Sequence, residues 1–119
     1  MLRCGIDMIE NKRVEEGIAR SGEQFLKRFF TASERAECGD KAYRLAARIA
    51  AKEAVAKALG TGIGDVSWQE IEILSDARHR PVLHLHGAAK SLSDSLGITQ
   101  WDVSLTHTAE YASAVAVAL

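Results

Sequence analysis

A chain of 119 residues has room for one modest core, so residues 1–119 are read as a single domain. Hydrophobic side chains make up 47% and charged ones 26%, the balance of a globular protein rather than a disordered one. A net charge of −1 gives nucleic acid no electrostatic support, and no apolar run resembles a membrane span or a signal peptide, which points to a cytoplasmic protein.

Leu2, Cys4, Ile6 and Met8 alternate with Arg3, Gly5 and Asp7, the periodicity of a strand that sets Asp7 on the face opposite the apolar set. Cys4 then reads as a small core residue. With Cys38 it forms no CxxC or ligand spacing, so reduced thiols are expected rather than a disulfide. Asn11 is placed to cap a helix from Lys12, with Val14 and Ile18 one turn apart, and Ser21-Gly22 weakens or ends it. Phe25, Leu26, Phe29 and Phe30 form the next helical patch. Thr31 and Glu34 have capping-box spacing, opening a short helix that stops near Gly39. A long helix from about Lys41 to Leu59 runs into Gly60, Gly62 and Gly64.

The second half turns to strands. Glu70 to Ser75 alternates, as does Val82 to His86 across a turn holding the only proline, Pro81. Ala88 to Leu96 reads as a short helix stopped by Gly97. Trp101 to His107 and Tyr111 to Val117 form a hairpin around Thr108-Ala-Glu110, and the last strand carries four alanines on one face. Such a face suits close packing against another element or subunit. The class is α+β: an antiparallel sheet with one long central helix and several short helices.

The long helix holds the chemistry. At 100° per residue Glu53 and Lys57 share a face, while Arg44, Arg48 and Lys52 form a second polar stripe. An ordinary amphipathic helix turns a single polar face to water. A carboxylate flanked by apolar residues, as Glu53 is, needs a cation or a metal, because an unpaired buried charge is costly. Asp7 and Glu53, from separate elements, are suited to Mg²⁺, which takes few protein oxygens and leaves sites for water and phosphate. The alternative makes Asp7 a strand-edge turn former and Glu53 the ion-pair partner of Lys57. Lys57, Lys52, Arg48 and the Gly60-Thr61-Gly62 loop could meet phosphates. A helix C-terminus disfavours anions, however, and Gly60 also reads simply as a helix stop. His107, at a strand end, is either a base or phosphate donor or a histidine satisfied by local backbone. His84 and His86 share a strand face without a third ligand nearby, which reads as a solvated face rather than a metal site. Arg13, Arg20 and Lys27 recur every seven residues and would align for an acidic partner if the helix were continuous, but with Glu15, Glu16 and Glu23 interspersed a solvated face is the default reading.

Gly5-Ile-Asp7, Phe30-Thr-Ala-Ser-Glu34, Arg48 through Gly64 with Lys52-Glu53-Ala54 and Lys57, and Ser104-Leu-Thr-His107 before Tyr111-Ala112 together resemble the holo-acyl-carrier-protein synthase family, the short 4′-phosphopantetheinyl transferases. The resemblance runs nearly the whole chain. It implies Mg²⁺-dependent transfer of 4′-phosphopantetheine from coenzyme A to a serine of apo acyl carrier protein, with release of adenosine 3′,5′-bisphosphate. Asp7 and Glu53 become the implied Mg²⁺ ligands. Lys57 becomes a contact to the coenzyme A diphosphate and Arg48 a candidate for its other phosphates, with Gly60, Thr61, Gly62 and Pro81 as further coenzyme A contacts. Glu53, acting through water, or His107 would take the serine proton. Arg13 and Arg20 would dock the acidic carrier, and a homotrimer with sites between subunits is implied. The chain departs from the family pattern at Ile49, where an aromatic is common, and at His79-Arg80, where Gly-Lys often precedes the proline. A transferase for polyketide or peptide-synthase carriers, a non-catalytic module binding coenzyme A or a carrier, and a purely structural oligomer are the rival readings.

Overall fold

Alanine organises the centre of this fold. The computed structural model describes residues 1–39 and 41–119, and its longest helix, α4 (Ala42–Leu59), is buried on nearly every side. Ala46, Ala50, Ala51, Ala54 and Ala56 are fully inaccessible to solvent. Small side chains let a neighbouring backbone come close, and α4 has on one flank a sheet whose middle strand is also rich in alanine.

That sheet has the order β1-β5-β4, antiparallel throughout, built from β1 (Arg3–Glu10), β5 (Tyr111–Ala118) and β4 (Trp101–His107). Ala112, Ala114, Ala116 and Ala118 of β5 are buried in the core that includes α4. A separate two-stranded ribbon pairs β2 (Ile71–Ser75) with β3 (Pro81–Leu85). The expected single sheet is thus two. The remaining helices are α1 (Asn11–Ser21), α2 (Glu23–Phe29), α3 (Ala32–Cys38) and α5 (Gly87–Ser95), with a 3-10 turn at Trp68–Glu70. Among the described residues, no helix is long and apolar enough to cross a membrane.

Two expectations are corrected here. Cys4 is exposed, not a core residue, and Leu2, Ile6 and Met8 on its face are 70%, 64% and 63% accessible. Alternation identifies residues that share a face but not which face is covered. The closely packing set, with Gly5 at its centre, goes to α4, and the bulky set is left outside. Asn11 does not cap α1. It is the helix's first residue, Glu10 stands at the cap without a side-chain bond, and Asn11 Nδ2 instead donates to Thr108 O at 3.0 Å and Ala109 O at 3.2 Å. Asn11 therefore ties α1 to the β4–β5 hairpin.

The capping box at Thr31 and Glu34 is present, and it does more than cap. Glu34 is completely buried, as is Lys52 from α4, and the two pair at 2.8 Å. Lys52 Nζ also donates to Ile71 O at 2.6 Å and Trp68 O at 2.9 Å, so all three of its protons have acceptors. Glu34 additionally accepts from the amides of Thr31 and Ile73. Burial pushes the Lys52 ammonium below its ordinary range, and the Glu34 charge opposes that. One closed network thus pins α3, α4 and β2 together. Removing either partner would strand the other, at about 3–5 kcal/mol.

Candidate active site

The site forms where β1 crosses α4. Strand periodicity sets Asp7 on the helix-facing side of β1, and Ser113 of β5 fixes its backbone by donating to Asp7 O at 2.9 Å. One-turn spacing sets Glu53 and Lys57 on the same face of α4. Lys57 Nζ donates to Ile6 O at 2.9 Å and Asp7 Oδ1 at 3.3 Å, so its salt bridge is with Asp7 rather than Glu53. Glu53 is half-buried. Burial first, and then the Asp7 charge, push its carboxyl above the ordinary glutamate range, with Lys57 pulling the other way. Two carboxylates thus compete for one lysine.

Asp7 and Glu53 line one cavity of about 630 Å³. Phe25 and Phe29 of α2, with Trp68, give it an aromatic wall: Phe29 lies 4.7 Å from Phe25 and 4.8 Å from Trp68, ring centre to ring centre. Arg13 and Arg20 of α1 line it too, together with Arg28, whose guanidinium stands 5.2 Å over the Phe29 ring. The seven-residue stripe continued to Lys27, but Gly22, at φ 52°, breaks the helix between α1 and α2, and Arg28 reaches the cavity instead. Arg28 had no sequence signal of its own. Phe25 and Phe29 are readable in the sequence as a helical patch, but nothing there assigns that patch to a cavity wall.

The other candidates lie elsewhere in the chain. His107 stacks on Tyr43, with centroids 4.7 Å apart, and lines a different hollow of about 360 Å³ with Asn11 and Thr108. Arg48 is nearly buried. Its Nη2 meets Ser75 Oγ at 3.1 Å and Glu37 Oε2 at 3.4 Å, and its Nε is buried without a partner. Gly60, at φ 86°, ends α4 in a left-handed cap, and the amides of Gly60, Thr61 and Gly62 all donate to Ala56 O. Those amides close the helix, as the helix-stop reading of Gly60 requires. Pro81 begins β3 beside a hollow of about 320 Å³ that also holds Trp101 and Asp102. Before it, Asp76 Oδ1 accepts from the amides of Arg78 and Arg80, and His79 takes φ 64°, a conformation that favours glycine. His86, exposed like His84, meets Glu72 at 3.1 Å.

Among the described residues, no three His, Cys, Asp or Glu side chains gather as a metal cage. A pair of hard carboxylate oxygens in an open cavity suits Mg²⁺, which keeps several waters and binds phosphate oxygens. It does not suit Zn²⁺, which would want nitrogen or sulfur and a fuller ligand set. The donor set therefore fits the metal that the sequence suggested.

The family model described as the 4′-phosphopantetheinyl transferase superfamily matches residues 3–116. The chain is 44% identical over 126 residues to a holo-[acyl-carrier-protein] synthase of Herpetosiphon aurantiacus, covering 100% of this chain and 99% of that one. It is 48% identical over 120 residues to one from Moorella thermoacetica, covering 98% and 93%. The crystal structure of the Helicobacter pylori holo-[acyl-carrier-protein] synthase in complex with coenzyme A superposes with a TM-score of 0.90 at 35% identity, covering 98% of this chain and 99% of that one. The Neisseria meningitidis enzyme gives 0.90 at 34%, covering 98% and 97%.

Proposed function

The chain belongs to the 4′-phosphopantetheinyl transferase superfamily, and from that premise we propose that its β1–α4 cavity moves 4′-phosphopantetheine from coenzyme A to a serine of apo acyl carrier protein. The activity is that of a holo-[acyl-carrier-protein] synthase. The observation that carries the site assignment is the sharing of one cavity by Asp7 and Glu53, with the Asp7 charge opposing ionisation of Glu53.

In the reaction, the serine oxygen attacks the β-phosphorus of coenzyme A and adenosine 3′,5′-bisphosphate leaves. Charge builds on the transferring and departing oxygens, so the protein's contribution is chiefly electrostatic and positional. Mg²⁺, held by Asp7 and Glu53, would supply positive charge to the diphosphate. Lys57, within 3.3 Å of Asp7, adds a second positive group on the same side. Glu53 lines this cavity and His107 does not, which favours the carboxylate, acting through water, as acceptor of the serine proton within one chain. Arg13, Arg20 and Arg28, exposed on α1 and α2, offer an acidic carrier a basic rim, and electrostatic complementarity of this kind chiefly sets association rate and specificity.

A homotrimer with sites between subunits accounts for two further facts. The outer sheet face of Leu2, Ile6, Met8, Val115 and Val117 is a continuous apolar patch of the kind that marks an interface. His107 and Pro81 are absent from the lining of the Asp7–Glu53 cavity, and a neighbouring copy could bring them to its mouth. Incubating the protein with coenzyme A, Mg²⁺ and an apo acyl carrier protein tests the reaction. The carrier should gain the mass of one phosphopantetheine, and an unmodified carrier would refute the proposal.

A further inference from the structure

We propose that Gly5 is a positioning residue: its missing side chain sets how close Asp7 comes to Glu53 and Lys57. The inference rests on the reading of Asp7 and Glu53 as a cation-binding pair. Arg3, Gly5, Asp7 and Ile9 form the α4-facing side of β1, and Gly5 is the buried member at the crossing point. A Cβ on Gly5 would stand 1.9 Å from Ala54 O, 2.9 Å from Ala54 C and 3.0 Å from Ala58 N. All three are backbone atoms of α4, so no flexible side chain can yield. Gly5 is not among the glycines with positive φ, so space rather than backbone conformation demands glycine here.

The location of that contact gives it a consequence beyond packing. Ala54 and Ala58 directly follow Glu53 and Lys57, and Gly5 is two residues before Asp7 on the same face. Strand and helix behave as rods over so short a span, so their separation at Gly5 is passed on to the side chains beside it. Polar bonds draw the two elements together on either side of the glycine: Arg3 Nη1 donates to Ala58 O at 3.2 Å, and Lys57 Nζ to Ile6 O at 2.9 Å. Because β1 is an edge strand, it can move away from α4 without splitting the β4–β5 pair. Restoring an ordinary contact of 3.4 Å from 1.9 Å requires about 1.5 Å of retreat. Mg²⁺ holds its oxygens at about 2.0–2.1 Å in near-ideal octahedral geometry, and so tolerates no such displacement.

The test titrates Mg²⁺ into the full chain by calorimetry, and measures kcat and KM alongside. Gly5→Ala should weaken Mg²⁺ binding by about tenfold or more and lower kcat by about 10²-fold, the usual effect of a 1 Å misplacement. The apparent KM for carrier protein should stay put, because Arg13 and Arg20 are on α1. Adding Asp7→Glu, one methylene longer, to Gly5→Ala should recover part of the Mg²⁺ affinity, whereas Asp7→Glu alone should reduce it. A stability-only glycine would show no such reversal. A folded Gly5→Ala protein with wild-type Mg²⁺ affinity overturns the inference. So does Asp7→Glu alone binding Mg²⁺ as tightly as wild type, a result that decides the matter even if Gly5→Ala does not fold. Wild-type Mg²⁺ binding that survives Glu53→Gln, or no binding at all, would overturn the carboxylate-pair reading itself.

Discussion

Replacing Glu53 with glutamine should make the metal-free protein more stable while removing its activity. Burial and the Asp7 charge push the Glu53 carboxyl above the ordinary glutamate range. A raised value means that the folded chain holds this proton more tightly than the unfolded chain does. The favourable contribution is therefore complete below the ordinary glutamate range and is lost as pH rises through the raised value. At neutral pH the charged Glu53 is a net burden on the fold. The like charge of Asp7 opposes it across an open cavity, where solvent screening holds such interactions to about 1 kcal/mol. Lys57, 3.3 Å from Asp7, cancels part of this, so the gain on substitution is at most about 1 kcal/mol. For a domain of this size that is about 4 °C in Tm.

Scanning calorimetry in chelator and then in Mg²⁺ reads the effect. Without metal near neutral pH, Glu53→Gln should melt above wild type, and the two should converge in acid, where Glu53 is protonated. At a Mg²⁺ concentration about 100 times Kd, wild type should gain about 2.7 kcal/mol and the variant little. A variant that melts below wild type in chelator would mean that Glu53 is stabilised as an anion by the protein alone. Equal Mg²⁺ stabilisation of both proteins would remove Glu53 from the metal site.

Arg13→Glu should raise the apparent KM for acyl carrier protein and leave that for coenzyme A unchanged in steady-state kinetics; equal changes would count against docking on α1. Lys52→Met should cost about 3–5 kcal/mol in urea denaturation by leaving Glu34 buried without its cation. Adding Glu34→Leu should restore only part of this, because the amides of Thr31 and Ile73 then lose their acceptor. If the proposed trimer forms through the outer sheet face, Ile6→Glu there should lower the mass found by analytical ultracentrifugation toward that of the monomer, and a trimeric mass unchanged by the substitution would exclude that face from the contact.

How much of this was legible follows from what a one-dimensional pattern encodes. Helix boundaries were readable from local chemistry: the Thr31–Glu34 box opens α3, and Gly60 closes α4. That Glu53 and Lys57 share a face follows from spacing alone. Spacing also sets Lys52 on a second stripe with Arg44 and Arg48, but it does not say which anion either lysine meets. Only the packing of α3 against α4 gives Lys52 to Glu34 and leaves Lys57 for Asp7. The break at Gly22 was readable in Ser21-Gly22, but not that it would bring Arg28 rather than Lys27 to the cavity.

The inverted face of β1 is the misreading that bears most on function. Alternation put Asp7 opposite Leu2, Cys4, Ile6 and Met8, which is correct, and the usual rule would turn the apolar set inward. Had those residues packed on α4, Asp7 would face away from Glu53 and Lys57, and no carboxylate pair could form. The fold instead turns the face of Arg3, Gly5, Asp7 and Ile9 toward an alanine helix and leaves Leu2, Ile6 and Met8 outside, as the proposed trimer would require. The exposed apolar face and the convergence of Asp7 with Glu53 are therefore two results of one choice of strand orientation, and a chain with this motif that buried its large residues would lack the site.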